Sequence, residues 1–372
     1  MIIATIADIH FNAVKPELLF KQLNEIFLEY LRNEKVDMVV IAGDFYDSII
    51  SLNSKSAKYS IEFITELIKI SYHTGIKYIR MIKGTSSHDN NQLENLKIFE
   101  RSKDLSFKIF NTVTSEEIEG FKFLYVPEEY MKNPDEYYEE YFDEKYDMVF
   151  GHGMFRETSF QASKQESAIT LSKAPIFDSD KFCKMSKGPV IFGHIHKSCV
   201  IKDKIYYVGS FSRWVYGEEE PKGFLITYLN PNGEFTNTFI ENKLAEKYDT
   251  YTVKDSFNYV KNPETLIMKL NSMRKDNLRI ILILNGNYDY SYLVSFMREY
   301  YAKFPNYKLQ IVDETEVKRQ EENTKKIDEL IDKYKFVFDN TIPHIEKIKR
   351  FIEVRDKSDV SLESIKTILK IE

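Results

Sequence analysis

In the first hundred residues, short apolar runs typical of strands alternate with segments in which apolar residues have helical spacing. Two short apolar runs bounded by polar turns, IIATIAD and VDMVVIAGD, are typical of buried strands. Helical spacing appears between them at Leu19, Leu23, Ile26, Phe27 and Tyr30. A second helical segment, IEFITELIKI, precedes a third apolar run, KYIRMIKG. This order predicts a βαβαβ arrangement, and therefore a largely parallel sheet with right-handed crossovers.

The pattern changes to a series of short strands after about residue 105. The predicted strands are FKFLYVP, YDMVFGHG, PVIFGHIH, KIYYVGS, GFLITYL and FTNTFIE. They predict a second sheet packed on the first.

A further change occurs near residue 247. YDTYTV, LRIILIL and YKLQIV are predicted strands, and the stretches around residues 263–275 and 290–303 are predicted helices, which together suggest a small α+β unit. From about residue 314 the chain is rich in Lys and Glu and has apolar helical faces, which could fold back or bind a groove of another protein. These faces contain Ile327, Leu330, Ile331, Tyr334, Ile345, Ile348, Phe351, Ile352, Leu362, Ile365, Ile368 and Leu369.

Composition excludes several classes of protein. With 43% hydrophobic residues, 25 Tyr and 27 Phe, the chain is not predicted to be largely disordered. No apolar run reaches the roughly 18 residues of a membrane helix, and the N-terminus lacks the basic region of a signal peptide. Cys183 and Cys199 form no disulfide or metal-binding pattern, which predicts a cytoplasmic location. The net charge of −6 argues against a protein that coats nucleic acid, but not against an enzyme that contacts phosphates locally.

Candidate chemistry lies where the predicted strands end. Ligands at the carboxyl ends of strands are typical of α/β sheets, and imidazole with carboxylate suits manganese, iron or zinc. Side chains at positions i and i+2 of an extended segment point the same way, so D-x-H and H-x-H pairs can converge. The residues concerned are Asp8, His10, Asp44, Asp47, His88, Asp89, His152, His194 and His196.

Each of these signals also has an ordinary structural explanation. A single histidine is more often a core or turn residue than a ligand, and GDxxD can simply cap a helix. Five signals in order, each at a strand end beside a small residue, instead predict a dinuclear metal site. The remaining histidines, His73 and His344, are predicted to be structural.

The order D-x-H, GDxxD, a His-Asp loop, GH and GHxH resembles the calcineurin-like metallophosphoesterases, over Asp8 to His196. The segment YYVGSFSRWVYGEEEPKGF further resembles the G-S-x-x-R…FGE…KGF segment of SbcD, the bacterial relative of the Mre-eleven-type DNA repair nucleases. Phage-encoded versions of this nuclease are similar in having a GT-x-SHD loop, so a bacterial and a phage origin both stay open.

The resemblance implies an α/β fold: a β-sandwich flanked by helices, with a small α+β capping domain and a helical C-terminal tail. The corresponding predicted domains are a metallophosphoesterase (nuclease) domain at 1–245, the capping domain at 246–313 and a partner-binding tail at 314–372.

The same resemblance implies roles for the strand-end residues. Two divalent ions, manganese in the first instance, are expected, with Asp44 as the bridging ligand. Asp8, His10 and His196 are the expected further ligands of the first ion, and His152 and His194 of the second. His88 is the expected general acid or transition-state stabiliser. Asp47 is expected to orient His88, and Asp89 either to close the loop or to support a metal ligand.

One position departs from the family pattern. The family motif is G-N-H-D, with Asn as a ligand of the second ion. Here Gly84 to Asp89, GTSSHD, has two extra residues and places Ser87 before the histidine. A serine hydroxyl is a weaker ligand than an amide oxygen. We therefore expect a working site with a weaker second ion, the alternative being an impaired or regulatory site.

The expected substrate and partners follow from the resemblance as well. Asn53, Ser54 and Lys55 are candidate contacts to a DNA backbone, which is read by such residue types. Arg213 and Trp214 either line a DNA path or pack under the second sheet, and for Trp214 packing is favoured.

In SbcD-like nucleases the C-terminal helices grip a coiled-coil ATPase, SbcC, and the nuclease dimerises. The expected function is therefore a metal-dependent exonuclease or endonuclease subunit of an SbcCD-like complex for DNA recombination, repair or end processing, in a bacterial or host cytoplasm. Two alternatives stay open. One is a catalytically weak DNA-end-binding scaffold of the same complex, and the other is a phosphoesterase for small molecules or phosphoproteins.

Overall fold

The computed structural model describes residues 1–101, 104–130, 134–158, 175–273, 277–286 and 288–314, together with four isolated positions after residue 342. The chain divides between Asp249 and Thr250 into two compact units. The predicted helical tail at 314–372 lies almost wholly outside the described residues, and so do its apolar faces.

Fourteen described strands precede the second unit. They are β1 (Ile2–Ile6), β2 (Met38–Ala42), β3 (Tyr78–Ile82), β4 (Ser106–Phe110), β5 (Thr114–Ile118), β6 (Phe121–Val126), β7 (Met148–His152), β8 (Met154–Phe155), β9 (Ile176–Phe177), β10 (Val190–Gly193), β11 (Cys199–Ile201), β12 (Ile205–Tyr207), β13 (Gly223–Leu229) and β14 (Phe235–Glu241).

Twelve of these strands form two large mixed sheets. The first has the order β14-β13-β1-β2-β3-β4, in which β1 to β4 are parallel and β13 runs antiparallel to β1. The second has the order β11-β12-β10-β7-β6-β5, in which β12, β10, β7 and β6 are parallel. The prediction of an α/β fold with two packed sheets is confirmed.

The helices of this unit cover the outer faces of the sandwich. They are α1 (Pro16–Gln22), α2 (Glu29–Asn33), α3 (Lys55–Thr74) and the short helices Pro134–Tyr137, Glu139–Phe142 and Ser179–Met185, with a 3₁₀ segment at Gln92–Arg101. The predicted helix before β2 is interrupted by a π-helical turn, Leu23–Leu28, that joins α1 to α2. α3 is capped at both ends: the hydroxyl of Ser54, the residue before it, accepts the Ala57 N–H at 3.1 Å, and Gly75, the residue after it, has a left-handed conformation.

Side chains alternate between the two faces of each strand, so the two faces of the first sheet contribute to two different hydrophobic cores. In β2, Val39 and Ile41 face the layer of α1 to α3, whereas Met38, Val40 and Ala42 face the second sheet. A strand buried on both faces has no polar alternation, which is why these strands are continuous apolar runs in the sequence.

The second unit has its own sheet and core. β15 (Tyr248–Val253), β16 (Asn277–Leu284) and β17 (Tyr307–Asp313) lie in that order, with β16 parallel to β17. The helices Pro263–Ser272 and Ser291–Tyr301 and a 3₁₀ turn at Ser256–Tyr259 complete the described part of this unit. Its core is formed by buried residues that include Leu266, Leu270, Ile280, Leu282, Leu293 and Met297.

No helix within the described ranges combines the length and the hydrophobicity that a membrane span requires.

Candidate metal centre

The predicted ligands come from the carboxyl ends of neighbouring parallel strands. Asp8 and His10 follow β1, and Asp44 follows β2. In the second sheet His152 ends β7, and His194 follows the adjacent strand β10. Backbone hydrogen bonds from Asp8 N to Gly43 O (3.2 Å) and from His10 N to Asp44 O (3.0 Å) hold the first two strand ends together.

The first ligand cluster contains Asp8, His10 and His196, whose ligand atoms all lie within 4.8 Å of one another. The Nε2 atoms of His10 and His196 are 3.2 Å apart. Asp8 Oδ2 is buried and accepts no hydrogen bond from any described residue. Two facing imidazole nitrogens and an unsatisfied buried carboxylate oxygen are an arrangement that a divalent cation would complete.

The second ligand cluster contains Asp44, His152 and His194, all buried. His152 Nε2 lies 3.2 Å from Asp44 Oδ2. On the other side of the ring, Nδ1 donates to the backbone carbonyl of Ala42 at 2.9 Å. In the neutral ring, which a bound cation would favour by displacing the Nε2 proton, that hydrogen bond leaves the Nε2 lone pair directed at the cluster, as in metal-ligating histidines.

Asp44 also belongs to a third group, with His10 and His88. Its Oδ2 is 3.7 Å from His10 Nε2 and 2.9 Å from His88 Nδ1. A single carboxylate therefore contacts both ligand clusters, which is the position that a bridging ligand requires.

The electrostatics of the centre favour added positive charge. Burial raises the pKa of Asp44, but His152 and His88 outweigh it and hold that pKa well below its usual range. Burial lowers the pKa of His152, yet the charge and hydrogen bond of Asp44 together with the charges of Asp8 and Glu128 outweigh it, and the pKa lies well above the ordinary value. Carboxylates that remain ionised in a buried site attract cations, so the donor set fits divalent metal ions.

The backbone is strained where the ligands lie. Asp8, His10, Asp44 and His194 have positive φ values of 48°, 52°, 47° and 92°, a conformation that non-glycine residues adopt rarely and mostly at functional sites. A side chain at Gly84 would clash with the backbone and carboxylate of Asp44. The loop after β3 can therefore approach Asp44 only because residue 84 is a glycine.

In this loop Thr85, and not Ser87, faces the ligands. Thr85 Oγ1 lies 3.2 Å from Asp44 Oδ2 and 3.4 Å from His152 Nε2. Ser87 is exposed to solvent. This geometry corrects the expectation for Ser87: the two extra residues form a turn that lifts Ser87 away, and the hydroxyl directly after Gly84 takes the position beside the second cluster.

Asp47 contacts His10, and the charge of His88 also acts on it, so its expected role in orienting His88 remains a prediction. Its Oδ1 is 3.4 Å from Nδ1 of His10, and this contact with His10 is the leading cause of the lowered pKa of Asp47. Asp47 therefore orients a predicted ligand. His88 contacts Asp44 directly and is part-exposed, with 23% of its side chain accessible.

Asp89 joins the two loops of the first sheet. Its carboxylate accepts the backbone N–H groups of Tyr46 at 3.0 Å and Gly84 at 2.7 Å. Burial raises its pKa to about 7. The side chain closes the loop, as expected.

The four candidate DNA contacts have different surroundings in the structure. Arg213 is only 7% exposed, and its guanidinium donates to the carbonyls of Glu218, Ala245 and Glu220. The expectation that Arg213 contacts DNA is therefore corrected, because its donors are already used to hold the 213–220 loop.

Of the other three, Ser54 caps α3 and Lys55 forms an ion pair with Glu17. Asn53 is exposed. A contact of these residues with DNA remains a prediction.

Three buried residues of the centre were not anticipated from the sequence: Thr85, Glu128 and Glu218. Glu128 follows β6, so a carboxylate just after an apolar strand was the available signal. Glu218 Oε1 is 3.1 Å from His196 Nδ1, and its pKa, which burial alone would raise, is lowered by that hydrogen bond and by Lys222. A carboxylate behind a histidine fixes the ring and its tautomer.

Trp214 borders the first cluster. Its ring centroid lies 5.0 Å from that of His10 and 5.5 Å from that of His196, and the side chain is part-buried. Its backbone N–H donates to Glu218 Oε2 at 3.1 Å.

An α/β sandwich whose parallel strands deliver two Asp/His clusters to one edge is the architecture of a metal-dependent phosphoesterase. The sequence model of the calcineurin-like phosphoesterase family matches residues 1–198, more than half of the chain, and the chain belongs to this family. Members bind divalent metals and hydrolyse phosphoester bonds, so this protein is a phosphoester hydrolase by family, and the candidate metal clusters of the structure agree.

Several solved structures show a partial likeness. A cold-active protein-tyrosine phosphatase of a Shewanella species is 9% identical and covers 63% of this chain and 80% of its own, with a TM-score of 0.30. A hypothetical protein of Pyrococcus horikoshii OT3 is 12% identical and covers 73% of this chain and 94% of its own, also with a TM-score of 0.30.

Proposed function

We propose that this protein is a metal-dependent DNA nuclease that acts as the nuclease subunit of an SbcCD-like complex in DNA recombination, repair or end processing. The observation that carries the proposal is the pair of ligand clusters joined through Asp44, with the part-exposed His88 2.9 Å from the shared carboxylate.

The chemistry proposed for the site is phosphodiester hydrolysis. Asp8, His10 and His196 would hold one divalent ion and His152 and His194 the other, with Asp44 between them. Two such ions, manganese in this proposal, would supply a nucleophilic water and neutralise charge on the phosphodiester. His88 would donate a proton to the leaving oxygen, for which a part-exposed imidazole is suited. Asp47 and Glu218 hold the rings of His10 and His196 in place.

Support for DNA as the substrate comes from the segment that resembles SbcD. This segment braces the first cluster, because Glu218 contacts the His196 ring and Lys222 donates to the His196 carbonyl at 3.0 Å. It also places Trp214 beside His10 and His196. Aromatic side chains next to a cleavage site are platforms on which bases of single strands stack.

The proposal includes partners. The tail at 314–372 would bind the base of a coiled-coil ATPase of the SbcC type through its apolar helical faces, and two nuclease chains would form a dimer. Manganese-dependent activity and partner binding can be tested separately, because every predicted metal ligand lies before residue 197.

Labelled single- and double-stranded DNA incubated with the protein and Mn²⁺ should be degraded, and EDTA or the substitution Asp44→Ala should abolish the reaction. The chain contains one tryptophan, so binding of single-stranded DNA to Asp44→Ala should also quench Trp214 fluorescence.

DNA binding without cleavage by the wild type would favour a scaffold. Hydrolysis of p-nitrophenyl phosphate or phosphoproteins with intact DNA would favour a phosphoesterase for other substrates.

A further inference from the structure

A third strand of the second sheet, β6, also ends at the metal centre. β6, β7 and β10 are adjacent and parallel, so their carboxyl ends lie at one edge. β7 supplies His152 and β10 is followed by His194, while β6 is followed by Glu128. The backbone N–H of Glu128 also donates to Lys83 O at 3.2 Å, which ties this strand end to the loop after β3.

The two carboxylate oxygens of Glu128 have different surroundings. Oε1 accepts the hydroxyl of Tyr130 at 2.8 Å. Oε2 lies 3.1 Å from His194 Nδ1, 3.3 Å from Thr85 Oγ1 and 3.8 Å from His152 Nε2. The residue is 1% exposed, so Oε2 is directed at the second ligand cluster and away from solvent.

These spacings match those of ligand atoms around one ion. Bonds of about 2.0–2.2 Å from a divalent ion to nitrogen and oxygen separate neighbouring ligand atoms by roughly 3.0–3.5 Å. Glu128 Oε2 lies 3.1 Å from His194 Nδ1, 3.3 Å from Thr85 Oγ1 and 3.8 Å from His152 Nε2. Asp44 Oδ2 lies 3.2 Å from both His152 Nε2 and Thr85 Oγ1. Four of these five separations fall within that range, and the fifth is slightly longer.

We propose that Glu128 is a direct ligand of the second ion and supplies the carboxylate that completes the set of Asp44, His152 and His194. Thr85 then supports this ligand from the loop after β3, because its hydroxyl lies between Asp44 Oδ2 and Glu128 Oε2. With Asp8 and Asp44, a third carboxylate faces the four positive charges of two divalent ions. The second ion would then have two carboxylate ligands, Glu128 and the shared Asp44.

The proposal rests on the family membership and on these distances, and not on DNA being the substrate. Its test therefore uses Mn²⁺ alone, followed by equilibrium dialysis and titration calorimetry without any nucleic acid. A failure of the nuclease proposal would leave the result of this test unchanged.

The variants are Glu128→Ala, which removes the carboxylate, and Glu128→Gln, which keeps its volume and a neutral oxygen. The wild type should bind two Mn²⁺ per chain. Glu128→Ala should retain the first ion and loosen the second by more than the about 10- to 100-fold that is typical of losing a supporting partner. Glu128→Gln should weaken binding of the second ion by at least about tenfold. Because glutamine has the shape of glutamate, this variant still tests the proposal if Glu128→Ala does not fold.

Glu129→Gln is the matched control. Glu129 is the neighbouring carboxylate, but it accepts hydrogen bonds from Val113 N at 2.8 Å and the Tyr137 hydroxyl at 3.0 Å and does not face the clusters. This control should bind both ions as the wild type does. Wild-type affinity for the second ion in either Glu128 variant, or a wild type that binds one ion only, would overturn the proposal.

Discussion

At the scale of the residue, His88 differs from the predicted ligands in being part-exposed while it contacts the shared carboxylate. A group that moves a proton needs access to the substrate, whereas a ligand needs to be enclosed. In the proposed mechanism His88 therefore takes part in the chemistry, and the six histidines and aspartates of the two clusters bind metal.

His88→Ala should keep both ions and lower the rate of DNA cleavage by about 10²- to 10⁴-fold, because only a proton donor is lost. Metal content measured by mass spectrometry and single-turnover cleavage rates give the two readouts. Loss of an ion from His88→Ala would contradict this assignment and make His88 a ligand.

The loop after β3 gives a second test at this scale. Thr85→Val removes the hydroxyl that lies 3.2 Å from Asp44 Oδ2 and keeps the shape of the side chain. It should weaken binding of the second Mn²⁺ by roughly 10-fold, at the lower end of the effect of supporting partners. Calorimetric titration with Mn²⁺ measures this change.

Ser87→Ala is the control for Thr85→Val, since Ser87 is exposed in the same loop. Its affinity for both ions should equal that of the wild type. If Ser87→Ala were the weaker binder of the two variants, the loop would adopt a different arrangement with metal bound.

At the scale of the element, an ion pair connects the two sheets. Arg80 of β3 is 1% exposed and pairs with Glu116 of β5, which also accepts hydrogen bonds from Lys108 of β4 at 2.7 Å and the hydroxyl of Tyr125 of β6 at 2.9 Å. Burial raises the pKa of Glu116, but the hydrogen bonds from Arg80 and Lys108 outweigh it, so the pKa is lowered. The pair holds β3 of the first sheet against β5, the edge strand of the second sheet.

Glu116→Gln should lower the free energy of unfolding by about 3 kcal/mol near pH 7, because it leaves a buried guanidinium unpaired. A carboxylate with a lowered folded-state pKa stabilises the fold above its unfolded pKa, 4.5 here, and this stabilisation disappears as the pH falls through the folded-state pKa. The difference between variant and wild type should therefore shrink below pH 4.5. Urea unfolding at several pH values measures it.

Glu117→Gln provides the comparison for Glu116→Gln. Glu117 is the next residue of β5 and is exposed, so removing its charge should change the free energy of unfolding by less than about 0.5 kcal/mol. An equal effect of the two substitutions would show that net charge, and not the buried pair, determines the stability.

At the scale of the whole molecule, the predicted chemistry and the predicted partner binding lie in different parts of the chain. Both ligand clusters belong to the unit before Asp249, and the apolar faces proposed to bind an ATPase lie after residue 326. Binding of metal and binding of a partner should therefore be separable.

Deletion of residues 315–372 should leave the number of bound Mn²⁺ ions and the basal cleavage of short single strands unchanged, because no predicted ligand is removed. Co-elution with an SbcC-type ATPase on size exclusion, and stimulation of cleavage by that ATPase with ATP, should be lost. Co-elution of the truncated chain would place the ATPase-binding surface elsewhere.

The sequence by itself determined the fold class and the chemical nature of the site. Apolar runs such as those of β1, β2 and β7 form strands because of their own hydrophobic pattern. Asp and His residues at their carboxyl ends meet because parallel strands share an edge. Both inferences depend on periodicity and chain order, which are properties of the sequence.

Only the tertiary structure decided which side chains act together. It placed Thr85 rather than Ser87 beside Asp44, turned Asp47 towards His10, and buried Arg213 against backbone carbonyls. It also brought Glu128 from β6 to His194, 66 positions later in the chain. Such contacts depend on how two sheets pack and how loops turn over distances of a few ångströms, and no local pattern of residues encodes those distances.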